Sequence, residues 1–331
     1  MLKHWFHTPV LGLVGLSKNA GKTTLMNALL KAAPWRVAIT SVGLDGERYD
    51  QLTSLPKPRI YVTKGTLVLT AEATLTEATA TFKTLEILPI TTALGTLMLL
   101  EVTRPGTVLL AGPTTTKTLE CSLKRLKTYV DYVLVDGALN RKSFIHAPSI
   151  DGVMLAVGAS YHESQDVTVH AALTLAEQLQ FEQTKQPSWM PVRGCVGIAS
   201  KTTYQSTTKA FDTLCAWHKH DPSLHTVYVK GAFSKRFSDA LVHARIKHLC
   251  FVLDDATKLL IDPKRYTYLK QLGHRFEVVH PMCLVAVSIN PYHVGAHHYD
   301  EATFTHALST QLSCPVYNVL KEYPDANKTQ A

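Results

Sequence analysis

The sequence lacks the features of membrane-spanning, secreted and disulfide-linked proteins. It contains no run of about 18 apolar residues, and its first residues carry no apolar stretch of the kind that a signal peptide needs. Its 6 cysteines lie far apart and form no CxxC pair, so we expect reduced, buried thiols. Together these absences predict a soluble, cytoplasmic protein.

Blocks of like charge and several catalytic motifs are also missing. Lysine and arginine outnumber aspartate and glutamate by 34 to 26, for a formal net charge of +8, but the basic residues are scattered. Because a nucleic-acid tail needs a block of like charges, we do not expect nucleic acid as a partner. The motifs HExxH, Ser-His-Asp elbow and dinucleotide GxGxxG do not occur, which sets those enzyme classes aside.

What the sequence does contain is an alternation of short β-branched runs and amphipathic stretches. We predict strands at 9–14, 36–42, 107–111, 132–135, 152–157 and 194–198, and helices at 21–32, 116–128 and 164–181. This rhythm is typical of buried parallel strands. We therefore expect an α/β fold with a mostly parallel, doubly wound sheet.

The rhythm changes at two places along the chain. Between about 58 and 105, strands follow one another without a long helix, which predicts an antiparallel ribbon insertion. A second alternating set follows, with strands at 248–253, 276–280 and 284–289 and helices at 232–244 and 302–312. We therefore expect two domains, 1–220 for nucleotide binding and 221–331 as a smaller α/β lobe that binds a partner or a ligand.

A loop rich in glycine and lysine follows the first predicted strand. Its sequence, Gly15-Leu-Ser-Lys-Asn-Ala-Gly-Lys-Thr-Thr, lies between a buried strand and an apolar helix, as a phosphate-binding loop does. Backbone N–H groups and the helix dipole in such a loop hold the β-phosphate of a nucleotide. The residues expected to contact the nucleotide are Gly15, Ser17, Lys18, Asn19, Ala20, Gly21, Lys22, Thr23 and Thr24.

The residues at the end of this loop have distinct expected roles. Lys22 would bridge the β- and γ-phosphates, the Thr23 hydroxyl would ligate magnesium, and Thr24 would meet the α-phosphate. The spacing G-x5-G-K-T is one residue longer than the standard motif. The alternative is an ordinary glycine at a helix start, followed by an exposed lysine.

Two aspartates follow predicted strands and are candidates for holding the magnesium. Asp136 ends a hydrophobic run that begins at Tyr132, the Walker B arrangement, and Asp45 follows the second predicted strand. We assign Lys22, Asp45 and Asp136 to catalysis, and Thr23, Asp45 and Asp136 to the Mg²⁺ ion. The alternatives are a capping aspartate at Asp136 and a plain turn at Asp45.

The expected nucleotide is ATP. Guanine-specific proteins with this loop carry an Asn-Lys-x-Asp element after a late strand, and the aspartate pairs with the guanine N1 and N2 hydrogens. The comparable place in this sequence reads Ile198-Ala-Ser-Lys-Thr-Thr and has no aspartate. This absence favours ATP over GTP, with Mg²⁺ as the accompanying ion.

The first part of the chain resembles one branch of the P-loop proteins, which includes dethiobiotin synthetase and the metallochaperone GTPases. The resemblance rests on the lengthened loop, on Asp45 and on the Asp136-Gly-Ala sequence, and covers roughly the first 200 residues. In that branch a loop threonine and two acidic residues share the magnesium. The resemblance therefore implies Thr23, Asp45 and Asp136 as the ligands.

Over nearly its whole length the chain resembles the P-loop subunit of the lysine 5,6-aminomutase reactivase. The segments that carry this likeness begin with the Gly15 loop and continue with Thr40-Ser-Val-Gly-Leu-Asp-Gly-Glu, Lys64-Gly-Thr-Leu-Val-Leu-Thr-Ala-Glu, Ala111-Gly-Pro-Thr, Val135-Asp-Gly-Ala-Leu-Asn-Arg and Ser288-Ile-Asn-Pro-Tyr. Leu44 departs from it, because an arginine is expected there. The resemblance implies an ATPase that drives a partner aminomutase to release damaged cobalamin, together with a second reactivase subunit. A homodimer is compatible with it.

The residues leave other interpretations open. An enzyme of the dethiobiotin synthetase type would phosphorylate a small carboxylate or amine near Lys64 and Ala111, and a nucleotide-binding scaffold would not hydrolyse ATP at all. The spacing of His293, His297 and His298 would suit zinc on a helix, but a nearby glycine favours a solvated loop. A loose internal echo, Val135-Asp-Gly-Ala and Val229-Lys-Gly-Ala, is too short to establish a repeat.

Overall fold

Most of the buried β-branched runs of the sequence form strands of two large sheets. The computed structural model describes residues 7–34, 36–45, 59–137, 150–207, 211–293 and 297–324. The chain forms two units, of which the first comprises residues 1–169 with 284–331 and the second comprises residues 170–283. Each unit is built on a sheet of its own.

The elements of the first unit come from both ends of the chain. Up to residue 169 they are β1 (Val10–Gly15), α1 (Lys22–Ala32), β2 (Val37–Ser41), β3 (Leu44–Asp45), β4 (Ile60–Val62), β5 (Leu67–Ala71), β6 (Thr81–Thr92), β7 (Gly95–Arg104), β8 (Gly106–Val108), β9 (Leu110–Ala111), α2 (Thr116–Leu126), β10 (Tyr132–Asp136), β11 (Gly152–Gly158) and the start of α3 (Gln165–Leu179).

The second unit contains the rest of α3, and the chain then returns to the first unit. The second unit adds β12 (Cys195–Ile198), β13 (Thr203–Ser206), α4 (Phe211–His220), β14 (Thr226–Val229), β15 (Phe233–Ser234), α5 (Lys235–His243), β16 (Cys250–Leu253), β17 (Leu259–Leu260), α6 (Pro263–Gln271) and β18 (Arg275–Val278). The returning segment forms β19 (Leu284–Asn290), α7 (Glu301–Ser309), β20 (Val316–Asn318) and α8 (Val319–Glu322).

The main sheet of the first unit has nine strands within the described residues, in the order β20-β19-β11-β1-β10-β2-β5-β7-β6. Neighbouring strands from β20 to β5 run parallel. At the other edge β5, β7 and β6 pair antiparallel. The predictions of a mostly parallel α/β sheet and of an antiparallel ribbon are therefore confirmed.

Helix α1 is fixed against this sheet directly after the loop that follows β1. All six residues of β1 are buried, and Leu25, Met26, Ala28 and Leu29 of α1 are fully buried in the same apolar core. These four positions recur at the helical spacing, so they share one face of α1. Burial of each larger side chain contributes about 1.5–3 kcal/mol. The loop thus lies between two well-packed elements.

The second unit has a five-stranded sheet within the described residues, in the order β13-β12-β14-β16-β18. Strands β14, β16 and β18 are parallel, whereas β12 is antiparallel to both of its neighbours. An aromatic cluster forms part of its core, since the Phe233 ring centroid lies 4.9 Å from those of Phe237 and Phe251.

Two predicted parallel strands have other partners in the structure. The strand predicted at 194–198 is β12, which pairs antiparallel in the second unit. The strand predicted at 107–111 is the two short strands β8 and β9, which pair antiparallel with β4 and β3. A buried apolar run indicates a covered strand but carries no information on the direction of its neighbours, so these assignments were wrong.

The division into units differs from the expected boundary near residue 220. The segment expected in a C-terminal lobe returns to the first unit, because β19 pairs parallel with β11 from Leu284 to Asn290. Hydrogen bonding to a strand more than a hundred residues earlier leaves no local trace in the sequence.

The cysteines agree only in part with the expectation of buried thiols. All 6 lie in the described residues, where they form no disulfide. Burial raises the pKa of Cys195 to about 11 and that of Cys250 to about 12, so both stay protonated. Cys121 and Cys283 are exposed, and the prediction is wrong for them. None of the helices in the described residues has the length and apolar character that a membrane crossing requires.

Candidate functional site

The Gly15–Thr24 loop lies at the carboxyl ends of the parallel strands of the first unit. A Cβ atom at Gly15 would lie 3.1 Å from both Cγ and Cδ of Lys22. The aliphatic stem of Lys22 therefore lies close to the end of β1, where a side chain at residue 15 would crowd it. Lys22 is half-buried at this place.

The backbone at the start of α1 is shaped by left-handed residues. Gly21, the N-cap, has φ 99° and Asn19 has φ 62°. In this described stretch no side chain caps α1, and its first turn holds no acidic residue. Such a helix start directs its N–H groups and its positive dipole end towards a bound anion.

Residues that follow β11 hold the loop in place. The Leu16 N–H donates to the Ala156 carbonyl at 2.9 Å. The Ser160 hydroxyl donates to the Lys18 carbonyl at 3.1 Å and lies 3.1 Å from the Ser17 hydroxyl. Ser160 was not predicted. Its signal in the sequence is a small hydroxyl residue just after a buried strand, which is common in many turns.

A second glycine allows the loop to lie close to β11. A Cβ atom at Gly158 would lie 3.0 Å from Cα of Ala20, so a side chain there would push the loop away. Gly158 is the last residue of β11. The position of the loop thus depends on the neighbouring strand as well as on its own sequence.

Asp136 is the last residue of β10, the strand next to β1. Its residue surface is only 5% exposed, and its Oδ1 accepts a hydrogen bond from the Gly137 N–H at 2.7 Å. This bond fits the capping interpretation, while the position at the carboxyl end beside the loop fits a magnesium ligand. Thr23, the other ligand candidate in this region, is the second residue of α1 and is half-buried.

The position of Asp45 is described for its backbone only. It lies in β3, where it is opposite Leu110 of β9 in an antiparallel pair. β3 begins shortly after the end of β2. At the end of β2, the Ser41 hydroxyl accepts a hydrogen bond from the Gly112 N–H at 3.0 Å. β3 is thus outside the nine-stranded sheet, and the role of Asp45 stays a prediction.

The segment Ile198-Ala-Ser-Lys-Thr-Thr, from which ATP was favoured over GTP, begins at the last residue of a strand of the second unit. Ile198 ends β12, which belongs to the sheet of the second unit and not to the sheet that holds β1. In the sheet that holds β1, the late strand is β19, which ends at Asn290. Asn290 lies against the loop, since a Cβ at Gly21 would be 3.3 Å from its Cβ. The residues after Asn290 are Pro-Tyr-His, again without an aspartate.

His297 and Tyr299, which follow β19, contact the loop after β11. The Nε2 of His297 lies 2.9 Å from the carbonyl oxygens of Ala159 and His162, and the Tyr299 hydroxyl donates to the His162 carbonyl. Burial raises the pKa of Tyr299, which stays a neutral donor. In the described residues no group of three or more His, Cys, Asp or Glu side chains is placed to hold a metal ion. These contacts indicate that His297 stabilises the loop that follows β11.

Comparison with known proteins gives no match to a family model, to a curated protein or to a solved structure. Function must therefore be argued from the residues of the site.

Proposed function

We propose that the first unit is a P-loop nucleotide-binding domain, which binds ATP with Mg²⁺ and acts as an ATPase switch for a partner enzyme. The observation that carries the proposal is the stem of Lys22 packed across Gly15, 3.1 Å from where a Cβ would be. This places the lysine over a loop whose helix start has no side-chain cap among the described residues. A triphosphate supplies the negative charge that this arrangement suits.

The residues present fit a magnesium ion at the edge of this loop. Thr23 offers a hydroxyl oxygen and Asp136 a buried carboxylate, and oxygen ligands of this kind are the ones that Mg²⁺ prefers. Magnesium, when bound, would neutralise charge on the β- and γ-phosphates. Lys22 would orient the γ-phosphate.

The partner in this proposal is an adenosylcobalamin-dependent aminomutase, with a second reactivase subunit and a cytoplasmic location. Support for the partner comes only from the resemblance to the reactivase subunit, which the Gly15 loop and the segments that begin at Thr40, Lys64, Ala111, Val135 and Ser288 carry. A switch of this kind needs two conformations whose balance depends on the γ-phosphate. Co-purification with and without ATP would identify the partner.

The nucleotide proposal is tested by replacing Lys22. We expect Lys22→Ala to weaken Mg·ATP binding about tenfold to a hundredfold, because charge-assisted hydrogen bonds to phosphate contribute about 1.5–3 kcal/mol. Titration calorimetry of the full chain measures it. Lys31→Ala is the matched control, since Lys31 lies in the last turn of the same helix. Equal affinity of the Lys22→Ala and Lys31→Ala proteins would contradict the proposal.

Measurement of phosphate release distinguishes an ATPase switch from an enzyme of the dethiobiotin synthetase type and from a scaffold. The switch predicts slow hydrolysis that an added aminomutase stimulates. Fast turnover with a small carboxylate or amine, and no protein partner, would instead indicate the dethiobiotin synthetase type of enzyme. ATP binding without any phosphate release would indicate a scaffold.

A further inference from the structure

The second unit has a strand edge of its own at which several chain segments meet. Strands β14 and β16 are parallel neighbours, and each is followed at once by a charged residue, Lys230 and Asp254. Strand β12 runs antiparallel to β14, with Cys195 opposite Val229, so Arg193 just before β12 lies at the same edge. In open α/β sheets ligands bind outside the carboxyl ends of the parallel strands.

An ion pair is built into this edge. The Lys230 Nζ lies 2.6 Å from Oδ1 of Asp254, and the Asp254 side chain is only 9% exposed while that of Lys230 is 40% exposed. The Gly231 N–H lies 3.4 Å from the other carboxylate oxygen. The buried carboxylate therefore fixes the lysine at the edge, where its side chain stays partly exposed.

A second cation stands beside this pair. Arg193 is exposed, and no carboxylate in the described part of the chain pairs with its guanidinium. Among the residues that line this part of the surface, the two cations Arg193 and Lys230 outnumber the single carboxylate of Asp254. A guanidinium binds a carboxylate or a phosphate through two parallel N–H bonds, which a water-exposed lysine beside it can supplement.

These residues line an open pocket of suitable size. They line a cavity of about 340 Å³ together with Val192, Thr207 and the backbone of Gly194 and Gly231. This volume is at the lower end of the range for small-molecule sites. The Val192 side chain is 92% exposed at its rim and offers an apolar surface to a ligand.

Two glycines with positive φ angles shape the main chain that lines the cavity. Gly194 has φ 72°, and a Cβ there would lie 2.0 Å from the Ser206 carbonyl oxygen, so β12 and β13 meet closely only with glycine at this place. Gly231 has φ 85° and turns the chain after Lys230. The same strand-end geometry occurs in the first unit, where Gly137 with φ 78° follows Asp136. The internal echo in the sequence thus corresponds to two similar strand ends, with Lys230 in the place of Asp136.

We propose that this edge of the second unit binds a small organic molecule that carries a carboxylate or a phosphate group. Arg193 and Lys230 hold the oxyanion, the Thr207 hydroxyl adds a hydrogen bond, and Val192 contacts the apolar part of the molecule. All of these residues belong to the second unit, so the proposal does not rest on the function proposed for the first unit.

The test measures binding of defined oxyanions to full-length protein that carries Lys22→Ala, so that the first unit contributes less to phosphate binding. The probes are inorganic phosphate, glycerol 3-phosphate, succinate and glutarate, with neutral glycerol and succinamide as their controls. We expect saturable, one-site binding of at least one anionic probe by titration calorimetry. Comparison of the phosphate and carboxylate probes then identifies which oxyanion the site takes.

Arg193→Gln in this background should weaken that binding at least about tenfold, which a lost charge-assisted hydrogen bond accounts for. Lys201→Gln is the matched control, because Lys201 is equally exposed but follows the opposite end of β12. The double change Lys230→Met with Asp254→Asn removes both partners of the ion pair and should abolish binding without leaving a buried charge. Absence of binding by all four anions, equal binding of the neutral probes, or equal affinity of the Arg193→Gln and Lys201→Gln proteins would overturn the proposal.

Discussion

At the scale of single residues, the site in the first unit depends on glycines that let other groups approach. Gly15 leaves room for the stem of Lys22 near the end of β1, and Gly158 lets the loop lie against β11. Lys22 and Asp136 could be found from the sequence, because each stands at a fixed spacing from a predicted strand. Ser160 and Asn290 could not, because they meet the loop only through the order β19-β11-β1 of the sheet.

Asp136 allows a test with a close structural substitute. Asp136→Asn keeps an oxygen that can accept the Gly137 N–H bond but removes the charge that would ligate magnesium. We expect the variant to fold like the natural protein and to lose most of the gain in ATP affinity that Mg²⁺ provides. Titrations with Mg²⁺ and with a chelator in its place measure that gain. An undiminished gain in the variant would leave Asp136 as a helix or turn cap only.

At the scale of elements, local sequence predicted most of the longer helices and strands but missed α4 and α6. Helix α1 was predicted at 21–32 and spans Lys22–Ala32, because its apolar face is complete. Helix α6 was missed, since only Tyr266 and Leu269 of its nine residues are buried. Its start was nevertheless marked by Asp262, a helix cap, followed by a proline at the first helical position. The direction of strand pairing could not be predicted from the sequence, as the antiparallel pairing of β12 shows.

Helix α2 provides a prediction about local stability. The hydroxyl of its N-cap, Thr115, accepts a hydrogen bond from the Thr118 N–H at 3.2 Å, and the Thr118 hydroxyl accepts one from the Thr115 N–H at 3.2 Å. We expect Thr115→Ala to lower the free energy of unfolding by about 1 kcal/mol, because such a cap satisfies N–H groups that have no partner inside the helix. Urea denaturation measures the change. Thr116→Ala, one position further along, is the control, and an equal loss there would rule out capping as the cause.

At the scale of the whole molecule, the chain leaves the first unit at residue 169 and returns to it at residue 284. The sequence indicated two α/β assemblies but not that the second interrupts the first, since β19 finds β11 only in the folded sheet. Both units place charged residues just beyond the ends of parallel strands, where ligands of such sheets bind. The first carries Lys22 and Asp136 of the proposed nucleotide site, and the second carries Arg193, Lys230 and Asp254 of the proposed oxyanion site.

The central claim, that the Gly15–Thr24 loop binds Mg·ATP, is tested most directly by amide hydrogen exchange of the full chain. Addition of Mg·ATP should slow exchange in peptides that cover residues 15–24, because loop N–H groups would donate to phosphate oxygens. The Lys22→Ala protein should show little of this protection. Unchanged exchange at residues 15–24 in the natural protein at saturating Mg·ATP would contradict the account.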